Sequence, residues 1–251
     1  MFVFFIKENI VRNVMIPILS ALFLFLSGIL IINWQLWQME KLSYTSLPGN
    51  GVLIIPQTKG LMAKVVTQLK PLLPKLPDGF HIGVNISARH INAPSFIGDC
   101  RVFGKGFQGK EVKLVLEVTE REPLIDNPHL VENLNMLHNA GFVIALDDFG
   151  TGYSGLSCLN ALAIDYIKID KSFVNRVSDE KDSTILLDCV IDLAKKLSLR
   201  IVAEGVETKA QLEYLNRNEI TLLQGYYFGK PVSCIDFIKV ILSKPRETVS
   251  L

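Results

Sequence analysis

The chain has 251 residues, 49% of them hydrophobic and 20% charged, with a formal net charge of +1. That length suits one large domain with an appendage, and a single α/β barrel is of this size. Near-neutral charge excludes a basic field for non-specific nucleic-acid binding, so DNA is not an expected partner. Four cysteines without paired spacing (Cys100, Cys158, Cys189, Cys234) argue against a zinc site or disulfide framework.

Mean hydropathy of +0.32 is high for a soluble domain, and its cause lies at the N-terminus. From Val14 to Ile32 there are 19 residues without a charge. As a helix they would span roughly 28 Å, close to the hydrocarbon thickness of a bilayer. Trp34 and Trp37 follow, as interfacial aromatics do. A secretory leader competes, because Lys7 and Arg12 precede the run, but the run is long for one and Asn33-Trp34-Gln35 is a poor cleavage site. The expectation is a retained membrane anchor over 1–37, its helix at about 14–32. Lys7 and Arg12 on one side, with Lys41 and Lys59 on the other, leave its orientation open.

Residues 38–58 read as a turn-rich linker, and 59–251 as the functional domain. Within that domain, short apolar runs suited to buried parallel strands fall at 80–86, 112–118, 142–147, 165–170, 200–204 and 221–224. Helical patterns lie at about 59–73, from Pro128 to Ala140 behind an Asn127 cap, at 182–198, from Thr208 behind a Thr208–Gln211 capping box, and at about 234–243. Strand and helix alternating this often mean a parallel sheet with helices outside it. The six strands end in Asn85, Glu117, Asp147 with Asp148, Lys168, Glu204 and Gln224. A closed barrel gathers all strand C-termini at one mouth, whereas an open sheet would spread them, so a barrel is favoured. Six strands do not close it. Two more must come from before residue 80, where only the expected anchor, linker and one helix are available.

Asp147-Asp148-Phe149-Gly150-Thr151-Gly152 places two adjacent carboxylates where a strand enters a glycine turn, an arrangement that holds hard cations such as Mg²⁺ or Mn²⁺; alone it is equally a solvated acidic turn. Glu117 at a buried strand tip is costly unless paired or metal-bound. Asn85 offers a neutral amide oxygen to the same cation, and Glu204 with Glu207 repeats the pattern of acids at a strand end. Glu120 could cap or brace a loop. Lys168 is an inward cation beside acids, where a structural salt bridge is an equal reading; it can also orient a water, or accept its proton if desolvation lowers its pKa. His81, His90, His129 and His138 stand outside these motifs and read as ordinary helix or surface histidines. Carboxylates with an amide suit a two-cation clamp on a phosphodiester.

The motifs Gly83-Val84-Asn85-Ile86-Ser87, Leu116-Glu117-Val118-Thr119-Glu120, Asp147-Asp148-Phe149-Gly150-Thr151-Gly152-Tyr153-Ser154, Ile167-Lys168-Ile169-Asp170, Val202-Ala203-Glu204-Gly205-Val206-Glu207 and Gln224-Gly225-Tyr226 stand in this order between about Gly60 and Ile241. Together they resemble the EAL-domain family, cyclic di-GMP phosphodiesterases with a modified TIM-like barrel. The resemblance implies metal binding by Asn85, Glu117, Asp147 and Asp148, a further acid at the metal and water site in Glu204, and water positioning by Lys168. It implies that Glu120 braces the Asp-Asp-Phe-Gly loop and takes part in dimer coupling, and that Glu207 and Gln224 support the substrate pocket. The implied reaction opens cyclic di-GMP to linear pGpG with Mg²⁺ or Mn²⁺. A cytosolic substrate would put the barrel on the cytoplasmic side of the inner membrane, with a homodimer as one implied assembly.

The N-terminal third departs from the family pattern. The name-giving Glu-Ala-Leu is represented at best by Glu40-Lys41-Leu42, Tyr44 stands where an arginine is usual, and the first strand's Gln-Pro-Ile is absent. Glu40 is therefore only a candidate metal ligand. Three readings stay open: a membrane-tethered phosphodiesterase, a catalytically silent binding protein, or the remnant of a longer protein.

Overall fold

A computed structural model describes residues 2–5, 29–32, 51–76, 78–119, 124, 127–150, 155–177, 184–230 and 236. Eight strands form one sheet in sequence order: β1 Phe2–Phe5, β2 Ile29–Ile32, β3 Phe80–Ile86, β4 Val112–Thr119, β5 Val143–Phe149, β6 Tyr166–Ile169, β7 Arg200–Ala203 and β8 Leu222–Leu223. β1 runs antiparallel to β2, and every later pair is parallel. The two edge strands, β1 and β8, approach each other, so the sheet curls towards a barrel. Helices cover the outside, as parallel strands buried on both faces require.

The two strands that the sequence left unaccounted for are thus β1 and β2. Ile29–Ile32 was expected at the end of a membrane helix and is instead a strand beside β3, with Ile31 level with Gly83. The other residues of that expected helix, 14–28, lie outside the described residues. Among the described residues no helix is long and apolar enough to cross a membrane. Of the expected linker 38–58, residues 38–50 lie outside the described residues, and from residue 51 the chain is helical, Gly51–Leu69. A 3-10 turn, Lys70–Lys75, follows it, where Pro71 and Pro74 remove the amide donors an α-helix would need.

The six later strands fall where apolar runs predicted them. The helix Pro128–Asn139 starts at Asn127, whose side chain accepts from the His129 and Leu130 amides. The helix Lys209–Arg217 starts in the capping box of Thr208 and Gln211, and Ile185–Lys196 fills the third expected place. The helix expected at 234–243 lies outside the described residues apart from Asp236.

Two apolar layers result. The larger, with Leu69, Ile82, Phe96, Leu116, Ile144, Ile167 and Ile191 among its members, packs helices on the sheet's outer face. The smaller, Val115, Ala145, Tyr166, Val202 and Leu222, fills the inside. Side chains along a strand alternate between faces. Two positions beyond these five inner residues stand Glu117, Asp147, Lys168, Glu204 and Gln224. The apolar plug and the polar mouth are therefore successive inward positions of the same strands.

Below the plug, the Tyr166 hydroxyl lies 2.9 Å from His81 Nε2 and accepts from Arg200 Nη1 at 2.8 Å. His81 is thus a buried strand residue, not a surface histidine. His90 is fully buried too, against Asp99, which also takes Ser95 and Lys59.

Candidate functional site

Lys168 organises the mouth. It is 1% exposed, and its ammonium contacts Glu117 Oε2 and Asp147 Oδ1 at 2.8 Å each and Glu204 Oε1 at 2.6 Å. An ammonium has three N–H donors, and here each meets a carboxylate carried by a different strand or strand end. One buried cation thus faces three acids, with Asp148 beside them, and the group keeps an excess of negative charge in a dry setting.

The protonation of the group follows from that imbalance. Burial pushes Glu117 up to about 7, against the pull of Lys168 and with the help of the Asp147 charge. Glu204 rises to about 7 for the same reasons in the same order. Burial would lower Lys168, but the carboxylates of Asp147, Glu117 and Glu204 outweigh it and hold its pKa well above the ordinary value. The effect of desolvation on Lys168 is thus outweighed, and its three contacts are those of an ammonium donor.

Adjacent residues of a regular strand point to opposite faces, so Asp147 and Asp148 could not both reach the mouth from one. β5 resolves this with a bulge. Leu146 pairs with Ile167 and Phe149 with Ile169, three residues of β5 against two of β6. Asp148 sits at φ 55°, in the left-handed region, and its amide donates to Asp147 Oδ1 at 3.0 Å. As a result, carboxylate oxygens of Asp147, Asp148 and Glu204 lie within 4.8 Å of one another, close enough to share a cation. Gly150 then turns at φ 88°, where a Cβ would come 2.7 Å from the Phe173 ring.

Asn85 is level with Glu117 across β3 and β4. The second oxygen of Glu117, Oε1, is buried and has no hydrogen-bond partner among the described residues, and a buried carboxylate oxygen suits a cation. Gln224 stands at the end of β8, its backbone joined to Ala203 and Val206. Gly225 is pressed so closely on Val206 that an added Cβ would sit 2.0 Å from the Val206 carbonyl oxygen. Glu207 is exposed on the loop beyond Glu204. Glu120 and Glu40 lie outside the described residues. The described residues of β2 pair with His81–Gly83 and end short of Asn85, and residues 33–50 lie outside the described residues.

Two contributors were not singled out for the site from sequence. Tyr166 reads as one more apolar strand residue, yet it plugs the barrel beneath Lys168. Gln211 reads as a capping residue, a role that hides its further bonds.

With this geometry in place, a model of the EAL domain matches residues 53–231. The chain belongs to the EAL domain family. It is 61% identical over 207 residues to the probable cyclic di-GMP phosphodiesterase PdeG of Escherichia coli K12, covering 82% of this chain and 41% of that protein. The chain thus spans less than half the length of that curated relative. Among solved structures it resembles the PaMucR phosphodiesterase in its c-di-GMP complex, with a TM-score of 0.69 and 30% identity over 80% of this chain and 79% of that one. It also resembles Klebsiella pneumoniae BlrP1 in a manganese and cyclic di-GMP complex, with a TM-score of 0.60 and 25% identity over 77% of this chain and 48% of that one.

Proposed function

We propose that this EAL domain hydrolyses cyclic di-GMP to linear pGpG at the strand-end mouth, with Mg²⁺ or Mn²⁺. The observation that carries the proposal is the buried Lys168 clamp on three carboxylates beside a bulged Asp147–Asp148 pair. Asp147, Asp148 and Glu204 would hold a cation, with Glu117 Oε1 and Asn85 as neighbouring oxygen donors. All are hard oxygen ligands, and their surplus negative charge fits a divalent ion. Such ions would lower the pKa of a water and offset charge on the phosphodiester.

The chain's own residues do the rest. Lys168 fixes the three carboxylates and remains a donor. Glu204, with its side chain 16% exposed where that of Glu117 is fully enclosed, would be the cation-holding acid that meets water entering at the mouth. Gln224 and Glu207 lie on the rim, where the base and ribose of a dinucleotide would rest. The names of the curated relative and of both solved complexes support the substrate.

One sequence observation favours binding without turnover: Glu40-Lys41-Leu42 and Tyr44 depart from the family pattern, so a second ion and a substrate phosphate would have fewer partners. Incubating the whole chain with cyclic di-GMP and Mn²⁺ tests both readings. Metal-dependent pGpG formation that Glu117→Ala abolishes supports hydrolysis, and calorimetric binding without product supports the second reading.

Attachment to the cytoplasmic membrane, with the barrel facing the cytoplasm, is a separate part of the proposal and rests on the uncharged run alone. With Ile29–Ile32 committed to β2, that run keeps the 15 residues from Val14 to Gly28 (28 − 14 + 1). As a helix these span roughly 22 Å, short of a ~30 Å hydrocarbon core. A reporter fused after Leu251 that is active only in the periplasm would refute the orientation.

A further inference from the structure

Glu204 is the mouth carboxylate carried furthest beyond its strand, so something must hold its loop. Its amide donates to Ile169 at 3.1 Å, and Gly205 follows at φ 70°. A Cβ on Gly205 would come 2.3 Å from Lys171 Cβ, so the loop lies directly on the first residue of the short helix Lys171–Val174. That helix directly follows β6, the strand that carries Lys168.

Gln211 bridges the same two segments. It is 5% exposed. Its Oε1 accepts from the Glu207 amide at 2.7 Å and from the Thr208 amide at 3.0 Å. Its Nε2 donates to the Val174 carbonyl at 3.4 Å and to Asn175 Oδ1 at 3.3 Å. A capping box needs only the Thr208 bond. The other three leave the helix terminus and tie the loop after β7 to the turn after β6, with the oxygen and the nitrogen of the side-chain amide each making two bonds.

We propose that Gln211 is a positioning residue for Glu204: it locks the Glu204–Glu207 loop against the Lys171–Val174 helix and so sets the distance from the Glu204 carboxylate to Lys168 and Asp147. The inference rests on the cation-dependent phosphodiesterase reading. A shift of about 1 Å in a reacting group can cost about a hundredfold in rate.

Three variants of the whole chain separate positioning from helix capping. Gln211→Leu removes all four bonds. Gln211→Glu keeps both acceptor bonds and loses the donors. Thr208→Ala removes the hydroxyl that caps the Gln211 amide but leaves all four bonds of the Gln211 side chain, since the one from residue 208 comes from its backbone amide. Gln211→Leu is expected to lower kcat at least about tenfold with KM within about twofold, and to weaken Mn²⁺ binding about fivefold or more, on the scale of lost supporting contacts around metal ligands. Gln211→Glu should recover part of both, and Thr208→Ala should lower the melting temperature while kcat and Mn²⁺ affinity stay near wild type. Mn²⁺ affinity is read by calorimetry without substrate, so it tests the positioning even if wild-type turnover proves absent. Unchanged Mn²⁺ affinity in Gln211→Leu, or equal loss in Thr208→Ala, overturns the proposal.

Discussion

Replacing Lys168 by methionine keeps an unbranched side chain, one atom shorter, and deletes the ammonium that Glu117, Asp147 and Glu204 share. Glu117, Asp147 and Glu204 each lose an ammonium contact of 2.6 to 2.8 Å. Removing one partner of a buried ion pair costs about 3–5 kcal/mol, because the charge left behind stays desolvated. The loss is limited where the acids can take up protons. Glu117 and Glu204 already stand at about 7 and would move further up without the lysine. In metal-free protein the deficit should therefore be largest at about pH 8 and shrink towards about pH 5, where those carboxyls are neutral in either protein. For a domain near 200 residues, 3–5 kcal/mol corresponds to roughly 6–20 °C in melting temperature. Calorimetric melts in chelator at both pH values, repeated with Mn²⁺, measure this. Added Mn²⁺ should return part of the loss in Lys168→Met, because a cation replaces a cation. A variant melting within about 2 °C of wild type at the higher pH would show that Lys168 does not balance these acids.

Other expectations follow from single residues. Glu117 and Glu204 are raised from 4.5 to about 7 in the folded protein, so their favourable contribution is complete below the unfolded value and is lost as pH rises through 7. The metal-free melting temperature should accordingly fall between about pH 5 and pH 8 and flatten with Mn²⁺; a flat profile in chelator contradicts the burial argument. Asp148→Gly relieves a non-glycine φ of 55°, so the metal-free fold should gain about 1 kcal/mol while Mn²⁺ affinity, read by titration calorimetry, drops; a loss of stability would show that Asp148 supports the bulge itself. Gly225→Ala drives a Cβ into the Val206 backbone, which no side-chain rotation relieves. It should cost about 1–3 kcal/mol and reduce turnover through Gln224 and Glu204; wild-type stability and rate would mean the two loops are free to part.

Much of the barrel was readable because its signals are local. Six apolar runs and the Asn127 and Thr208 caps involve residues near in sequence, and the structure keeps them with boundary shifts of a few residues. Misreadings arose where one local pattern serves two environments. An uncharged run suits a bilayer helix as well as a strand of a parallel sheet, so hydropathy could not tell the two apart at Ile29–Ile32. Lys168 could not be settled locally: burial alone argues for a lowered pKa, and only the acids around it reverse the sign.

By itself the chain determined which residues are inward-facing, because alternation along a strand is set by backbone geometry within a few positions. It also determined that acids stand at the strand ends, one step beyond an apolar layer. Tertiary structure decided which of those acids meet. Glu117, Asp147 and Glu204 are separated by 30 and 57 positions (147 − 117, 204 − 147), and only strand order and register carry all three to one ammonium. The bulge that turns Asp148 into the mouth likewise exists only against β6, since a mismatch of three residues against two has no meaning until the strands pair.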